Sequence, residues 1–164
     1  NQRVTIKNGE INNRPFDFII DCRGLGAKKE QLLRGVRGEV ARLYAPEVNL
    51  TRPVRLMHPR YPIYIAPKPN NEYVIGATEI ESQDSGPATV RSTLELLSAA
   101  YTVHSGFAEG RLLGVQTGLR PAFSDNRPQV KKSGNVISIN GLYRHGYMLA
   151  PVLVAQALSY IGEY

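Results

Sequence analysis

The 164 residues are 42% hydrophobic and 21% charged, enough apolar material for a substantial core in one or two compact units. There are 20 Lys and Arg against 14 Asp and Glu, a net +6 at pH 7. The longest basic runs are only the pairs Lys28-Lys29 and Lys131-Lys132, which argues against a nucleic-acid partner and for attraction of small anions. No apolar run approaches the roughly 18–20 residues of a membrane span, and no signal peptide opens the chain. The single cysteine, Cys22, excludes an intrachain disulfide, and His58, His104 and His145 lack metal-ligand spacing. A cytoplasmic protein without membrane, nucleic acid or metal is expected.

In chain order, Val4-Thr5-Ile6-Lys7, Asn8-Gly9 and Glu10-Ile11 spell a hairpin with a type I′ turn, with Lys7 opposite Glu10 and Ile6 opposite Ile11. A chain that opens inside structure, with no initiator Met, is expected to be a fragment without its N-terminal part. Phe16–Asp21 reads as a strand running into Cys22-Arg23-Gly24-Leu25-Gly26-Ala27, where two glycines permit a close backbone approach. Further strands are predicted at Gly38–Leu43, Val54–Met57, Ile63–Ala66 and Tyr73–Thr78, the last two joined by a turn over Lys68–Glu72.

After Gly86-Pro87, Val90, Leu94, Leu97 and Tyr101 recur at helical spacing, predicting an amphipathic helix that lays this face on the sheet. A strand around Leu112–Thr117, a Pro-rich loop from Pro121 to Pro128 and the strand Val136–Asn140 follow. A last helix is predicted from about Pro151 to Ile161, with Pro151 at the first helical position, where its missing N–H has no partner anyway. The expected fold is α+β. An antiparallel-rich sheet with a covering helix (34–117) is flanked by pieces of a nucleotide-binding α/β domain (1–33 and 118–164).

The connection Gly141–Pro151, G-L-Y-R-H-G-Y-M-L-A-P, joins a strand to a helix. Free N–H groups and the positive end of a helix dipole suit an anion there. Arg144 within it can hold a carboxylate with a bidentate fork or stand as a surface arginine. Arg120, in T-G-L-R-P, and Tyr64, in the alternating run Tyr61–Pro67, would complete a pocket for a small carboxylate.

Y-I-A-P at 64–67, Y-V-I-G-A-T-E at 73–79, T-G-L-R-P at 117–121 and N-G-L-Y-R-H-G-Y-M-L-A-P at 140–151 together resemble one family. With I-I-D-C-R-G-L-G-A at 19–27 and L-R-G-V-R-G-E-V at 33–40, they look like the C-terminal part of the glycine oxidases of thiamine-thiazole biosynthesis. Those are members of the D-amino-acid-oxidase class of FAD-dependent amine oxidases. The resemblance implies that Arg120 pairs with the substrate carboxylate, that Tyr64 assists it and that Arg144 is a further active-site arginine. Cys22, Arg23, Gly24 and Gly26 match a loop along the cofactor. Gly118, Tyr143, His145, Gly146, Tyr147 and Met148 match the cofactor-facing segments, Met148 packing near substrate and ring or in the core. His145 is not expected to act as a base.

The implied reaction oxidises glycine to its imine, passing hydride to FAD, with dioxygen reduced to peroxide. No G-x-G-x-x-G follows a strand, so the dinucleotide-binding βαβ unit is absent and the fragment alone is expected neither to retain FAD nor to turn over. No cysteine stands within Gly118–Asn126, which implies noncovalent flavin in the whole protein. Sarcosine, proline or a D-amino acid remain alternative substrates, and a non-catalytic carboxylate-binding module remains the alternative function. Edge strands of the middle lobe offer a route to a homo-oligomer.

Overall fold

The computed structural model describes residues 16–60 and 62–162; the hairpin expected over Val4–Ile11 and residue Tyr61 lie outside the described residues. Two sheets organise the fold. The smaller has the order β1-β8-β7, with β1 (Ile19–Asp21) parallel to β8 (Val136–Asn140) and β7 (Gln129–Ser133) antiparallel to β8. The larger has the order β3-β4-β5-β2-β6. Its strands are β2 (Arg34–Tyr44), β3 (Val54–Leu56), β4 (Ile63–Lys68), β5 (Glu72–Gly76) and β6 (Arg111–Ala122), and every pairing is antiparallel. Among the described residues three α-helices accompany them: α1 (Lys28–Gln31), α2 (Val90–Val103) and α3 (Gly146–Ser159). This is the α+β architecture expected, with the two ends of the chain meeting in the β1–β8 pair.

Strand alternation gives the larger sheet two different faces. One carries Ala41, Leu43, Ile63, Ile65, Tyr73 and Ile75, and packs against Leu96, Ala99 and Ala100 of α2 and against Phe107. Each Ile or Leu fully buried in this core contributes roughly 1.5–3 kcal/mol. The other face carries Gly38, Val40, Tyr64, Gly76, Gly118 and Arg120 and holds the site described below. A second cluster, Ile137, Ile139, Leu153 and Ala157, fixes α3 on the smaller sheet.

α2 covers the sheet with a different face from the one predicted. Val90 (78%), Leu94 (59%) and Tyr101 (56%) are exposed, and only Leu97 of that set packs partly on the core. The buried stripe is Ser92, Leu96, Ala99 and Ala100. Its small side chains let the helix approach the strands closely, and a pattern built on large apolar residues overlooks it. Thr89 caps the helix, its Oγ1 accepting from the Ser92 N–H at 3.1 Å.

α3 begins at Gly146 and carries Pro151 inside it, so Pro151 is not the first helical residue. Leu153 and Ala157, one turn apart and both buried, hold the helix down despite the ladder bond that Pro151 cannot make. β6 runs on through Gly118, Leu119 and Arg120 to Ala122, beyond the Leu112–Thr117 expected. β7 was not predicted: Gln129–Ser133 is largely exposed and polar, and pairs with β8 across a turn in which Gly134 has φ +60°. No helix among the described residues is long and apolar enough to cross a membrane. No group of three or more His, Cys, Asp or Glu among them could hold a metal ion.

Candidate active site

Arg120 leaves β6 opposite Val36 and runs over β2, donating from Nη1 to the carbonyls of Arg37 at 3.4 Å and Thr78 at 3.2 Å. Neighbouring strands lie about 4.8 Å apart, so its guanidinium crosses a whole strand. It makes no ion pair with a carboxylate among the described residues. Tyr64, from β4, lies over Gly76 of β5 in the same way. Both side chains line a cavity of about 260 Å³, together with Arg55, Thr78, Arg144 and His145. The sequence-predicted trio Arg120, Tyr64 and Arg144 is therefore brought together.

Arg144 is differently placed from Arg120 because it is already paired. Its Nη1 donates to Glu79 Oε2, and the Tyr143 hydroxyl donates to Glu79 Oε1. Burial, followed by the bond to Glu79 and its charge, pushes the Tyr143 phenol up to about 12. A second cavity of about 440 Å³ shares Thr78 and Arg144 with the first and extends to Glu79, Arg91 and Glu95. A substrate carboxylate would have to displace Glu79 to reach Arg144, whereas Arg120 offers its charge without competition.

Arg120 is held from below by a buried network. On the α2 side of the sheet, the Arg37 Nε donates to Glu39 Oε1 at 2.7 Å, with both side chains almost fully buried. Arg37 also reaches the Asp84 carbonyl (2.7 Å), Asp84 Oδ2 (3.2 Å) and the Pro87 carbonyl (2.6 Å). The Glu39 N–H donates to Thr78 Oγ1 at 2.9 Å and the Thr78 N–H to the Glu39 carbonyl at 3.1 Å. These bonds fix both carbonyls on which Arg120 rests.

The predicted cofactor-facing residues converge from both ends of the chain. The 3-10 turn Gly24–Ala27 and the connection Gly141–His145 follow the carboxyl ends of the parallel strands β1 and β8, the place where open α/β sheets take ligands. Buried Asn140 joins them: its Nδ2 donates to the Gly24 carbonyl at 3.0 Å and its Oδ1 accepts from the Gly141 N–H at 2.9 Å. Gly141 has φ +74°, and a Cβ there would strike the Phe123 ring, so only glycine makes this turn. The Tyr143 N–H donates to the Pro121 carbonyl at 3.1 Å, which ties the connection to the end of β6.

These residues fit a flavin. The first turn of α3 has no side-chain cap, and the N–H groups of Gly146, Tyr147 and Met148 have no partner among the described residues. Tyr147 is fully exposed and Met148 two-thirds exposed, apolar surface beside a positive helix end. A Cβ on Gly118 would meet nothing within 4 Å, leaving bare strand open to a flat group. Arg23 instead folds back on Asp21, its Nη2 2.9 Å from Oδ2, and this bond holds the Asp21 carboxyl below its usual range. Burial and then the Asp21 charge push the Cys22 thiol up. Met148 does not line the 260 Å³ cavity.

Sequence reading missed Arg55, Glu79, Thr78 and the pair Gly38 and Gly76. Isolated glycines within strand patterns, as in R-G-E-V and V-I-G, do signal a close approach, and that signal was available. Glu79 carried none, because its partners lie 64 and 65 residues away.

The antiparallel sheet joined to a parallel strand pair is a fold found in solved oxidases. The chain belongs to the DAO family, FAD dependent oxidoreductase, which matches residues 1–161. It is 50% identical over 142 residues to a Rhizobium etli protein named as a thiamine biosynthesis oxidoreductase, ThiO, covering 85% of this chain and 43% of that one. The structure is similar to glycine oxidase from Bacillus cereus (25% identity, TM-score 0.68, 79% of this chain and 36% of that one). It shares its fold with iminodiacetate oxidase from Chelativorans (24% identity, TM-score 0.76, 92% and 44%). The chain thus spans less than half the length of these relatives.

Proposed function

We propose that this chain is the substrate-binding and flavin-facing part of a glycine oxidase that acts in thiazole formation for thiamine. The observation that carries the reading is Arg120: a guanidinium without a carboxylate partner, braced on two carbonyls and lining a small cavity beside Tyr64. The 50% identity to the Rhizobium etli protein supports the thiamine assignment.

Arg120 takes the substrate carboxylate in a charge-assisted contact and Tyr64 donates its hydroxyl to the same group. Both are fixed before substrate arrives, so the α-carbon is presented in one orientation and positioning supplies much of the rate. FAD, held noncovalently, would supply the acceptor for the hydride from that carbon, with dioxygen as the terminal oxidant. Residues of the connection and the open first turn of α3 would hold it, with Gly24, Gly118 and Gly146 leaving room for its approach. Arg144, tied to Glu79, stands between this cavity and the larger one and lines both. An assembly of several copies through the free edges of β3 and β6 is compatible with this arrangement.

The test is anaerobic bleaching of the yellow full-length protein by glycine, sarcosine and D-alanine, in the parent and in Arg120→Ala. Glycine should bleach most efficiently, and Arg120→Ala should stay yellow while needing on the order of 30-fold more glycine or beyond, the loss of one desolvated charge pair. Preference for D-alanine would remove the glycine assignment, and no bleaching by any amine would leave a carboxylate-binding module. Arg55 lines the cavity with no ion pair among the described residues, which favours a second reading in which the amine carries another carboxylate. Iminodiacetate therefore belongs in the panel.

A further inference from the structure

We infer that Gly38 is a positioning residue for the carboxylate site: the missing side chain at this point of β2 is what allows Arg120 to cross the strand. The inference rests on the functional reading above for what Arg120 holds, but not for where Arg120 lies. Arg120 is paired with Val36 across the β2–β6 ladder, and Gly38 stands opposite Gly118 one step along on the same face. To bond the Thr78 carbonyl beyond β2, the guanidinium must pass directly above residue 38. A Cβ built on Gly38 overlaps Nη1, Cζ and Nη2 of Arg120 together, and those are its three nearest atoms.

The kind of overlap decides what gives way. The obstructed atoms are the far end of a long flexible side chain, and the backbone of Gly38 has an ordinary strand conformation with ten further register pairs holding β2 to β6. Relief therefore comes from moving the guanidinium off its two carbonyls and not from opening the sheet. Alanine is also the better strand residue on entropic grounds, so the fold has no other reason to suffer. Gly76 serves Tyr64 alike, a Cβ there falling 2.6 Å from the hydroxyl oxygen, but it would also crowd Val40 at 2.8 Å. Gly38 is the cleaner probe.

The experiment is a double-mutant cycle in the full-length flavoprotein with Gly38→Ala, Arg120→Ala and both. Two readouts are taken: phenylglyoxal modification of Arg120 followed by mass spectrometry, and the glycine concentration for half-bleaching of the flavin. Gly38→Ala should keep the parent melting temperature within about 2 °C. It should speed labelling of Arg120 several-fold and raise the half-bleaching concentration about tenfold, the loss of one charge-assisted contact. Adding Gly38→Ala to Arg120→Ala should change nothing further, since the space is then free. An equal penalty in both backgrounds, or unchanged labelling of Arg120, overturns the inference. If glycine fails to bleach even the parent, the functional reading falls while the labelling rate still decides the role of Gly38.

Discussion

Replacing Arg37 by Met tests how the site is braced. Arg37 and Glu39 have side chains 3% and 0% exposed, and Arg37 makes four hydrogen bonds, to Glu39, to both the carbonyl and carboxylate of Asp84, and to Pro87. The second Glu39 oxygen, Oε2, is buried and has no partner among the described residues, so Oε1 to Arg37 is the contact that offsets desolvation of this carboxylate. Removing one member of such a pair strands the other, at about 3–5 kcal/mol. Each kcal/mol moves the melting temperature by roughly 2–4 °C for 150–250 residues and by less in a longer chain, so the full-length protein should melt at least about 3 °C lower.

The double variant Arg37→Met with Glu39→Leu replaces the pair by apolar groups and should recover much of the loss, since the desolvated charge goes with its partner. Circular dichroism melts of the full-length protein read both. A single variant that melts within about 1 °C of the parent, or a double variant worse than the single, would refute the assignment of Arg37 as the compensating charge for Glu39.

Three further outcomes are expected. Tyr143, pushed up to about 12, should ionise well above free tyrosine in an ultraviolet titration, and Tyr143→Phe should remove that late step. Because its folded value lies above the unfolded one near 10, its contribution to stability is complete below about pH 10 and is lost as pH rises towards 12. Cys22, raised by burial and by Asp21, should be alkylated with a pH midpoint above that of a free thiol, and Asp21→Asn should lower that midpoint; a midpoint below free cysteine would contradict the environment described. Asn140→Asp removes the donor to the Gly24 carbonyl and should cost about 1–3 kcal/mol at the joint between the two loops. It should appear as faster loss of flavin fluorescence quenching on dilution of the full-length protein, and unchanged flavin retention would detach this joint from the cofactor.

The strands were legible where large β-branched residues alternate, as in Ile63-Tyr64-Ile65 and Tyr73-Val74-Ile75, because burial on one face imposes a period of 2. β7 was not, since Val130-Lys131-Lys132-Ser133 has almost no apolar face to bury. The face of α2 was misread because Leu94 and Tyr101 are large but outward, while the contact is made by Ser92, Ala99 and Ala100. Arg120, Tyr64 and Arg144 were found through their motifs, and the cavity joins them. The distinction between Arg120 and Arg144 could not be read, because it depends on Glu79, whose pairing is a tertiary fact.

Why Arg120 and the two loops at the ends of β1 and β8 hold register with one another follows from the end of β6. Successive side chains of a strand point to opposite faces, so Arg120 turns to the cavity while Pro121 turns to the other side, where a Cβ on Gly24 of the first loop would come within 3.7 Å of its ring. The Pro121 carbonyl also takes the Tyr143 N–H of the second loop at 3.1 Å. One peptide bond thus links Arg120, proposed above to hold the substrate carboxylate, to the residue that meets both loops. A slip of β6 by a single residue would send Arg120 to the α2 face and break both fastenings at once, so the long β2–β6 ladder from Arg34–Ala122 to Tyr44–Arg111 does more than build a sheet. It sets the distance between the two halves of the site, and the only irregularity in that ladder, between Arg42 and Leu43, lies at its far end, away from Arg120.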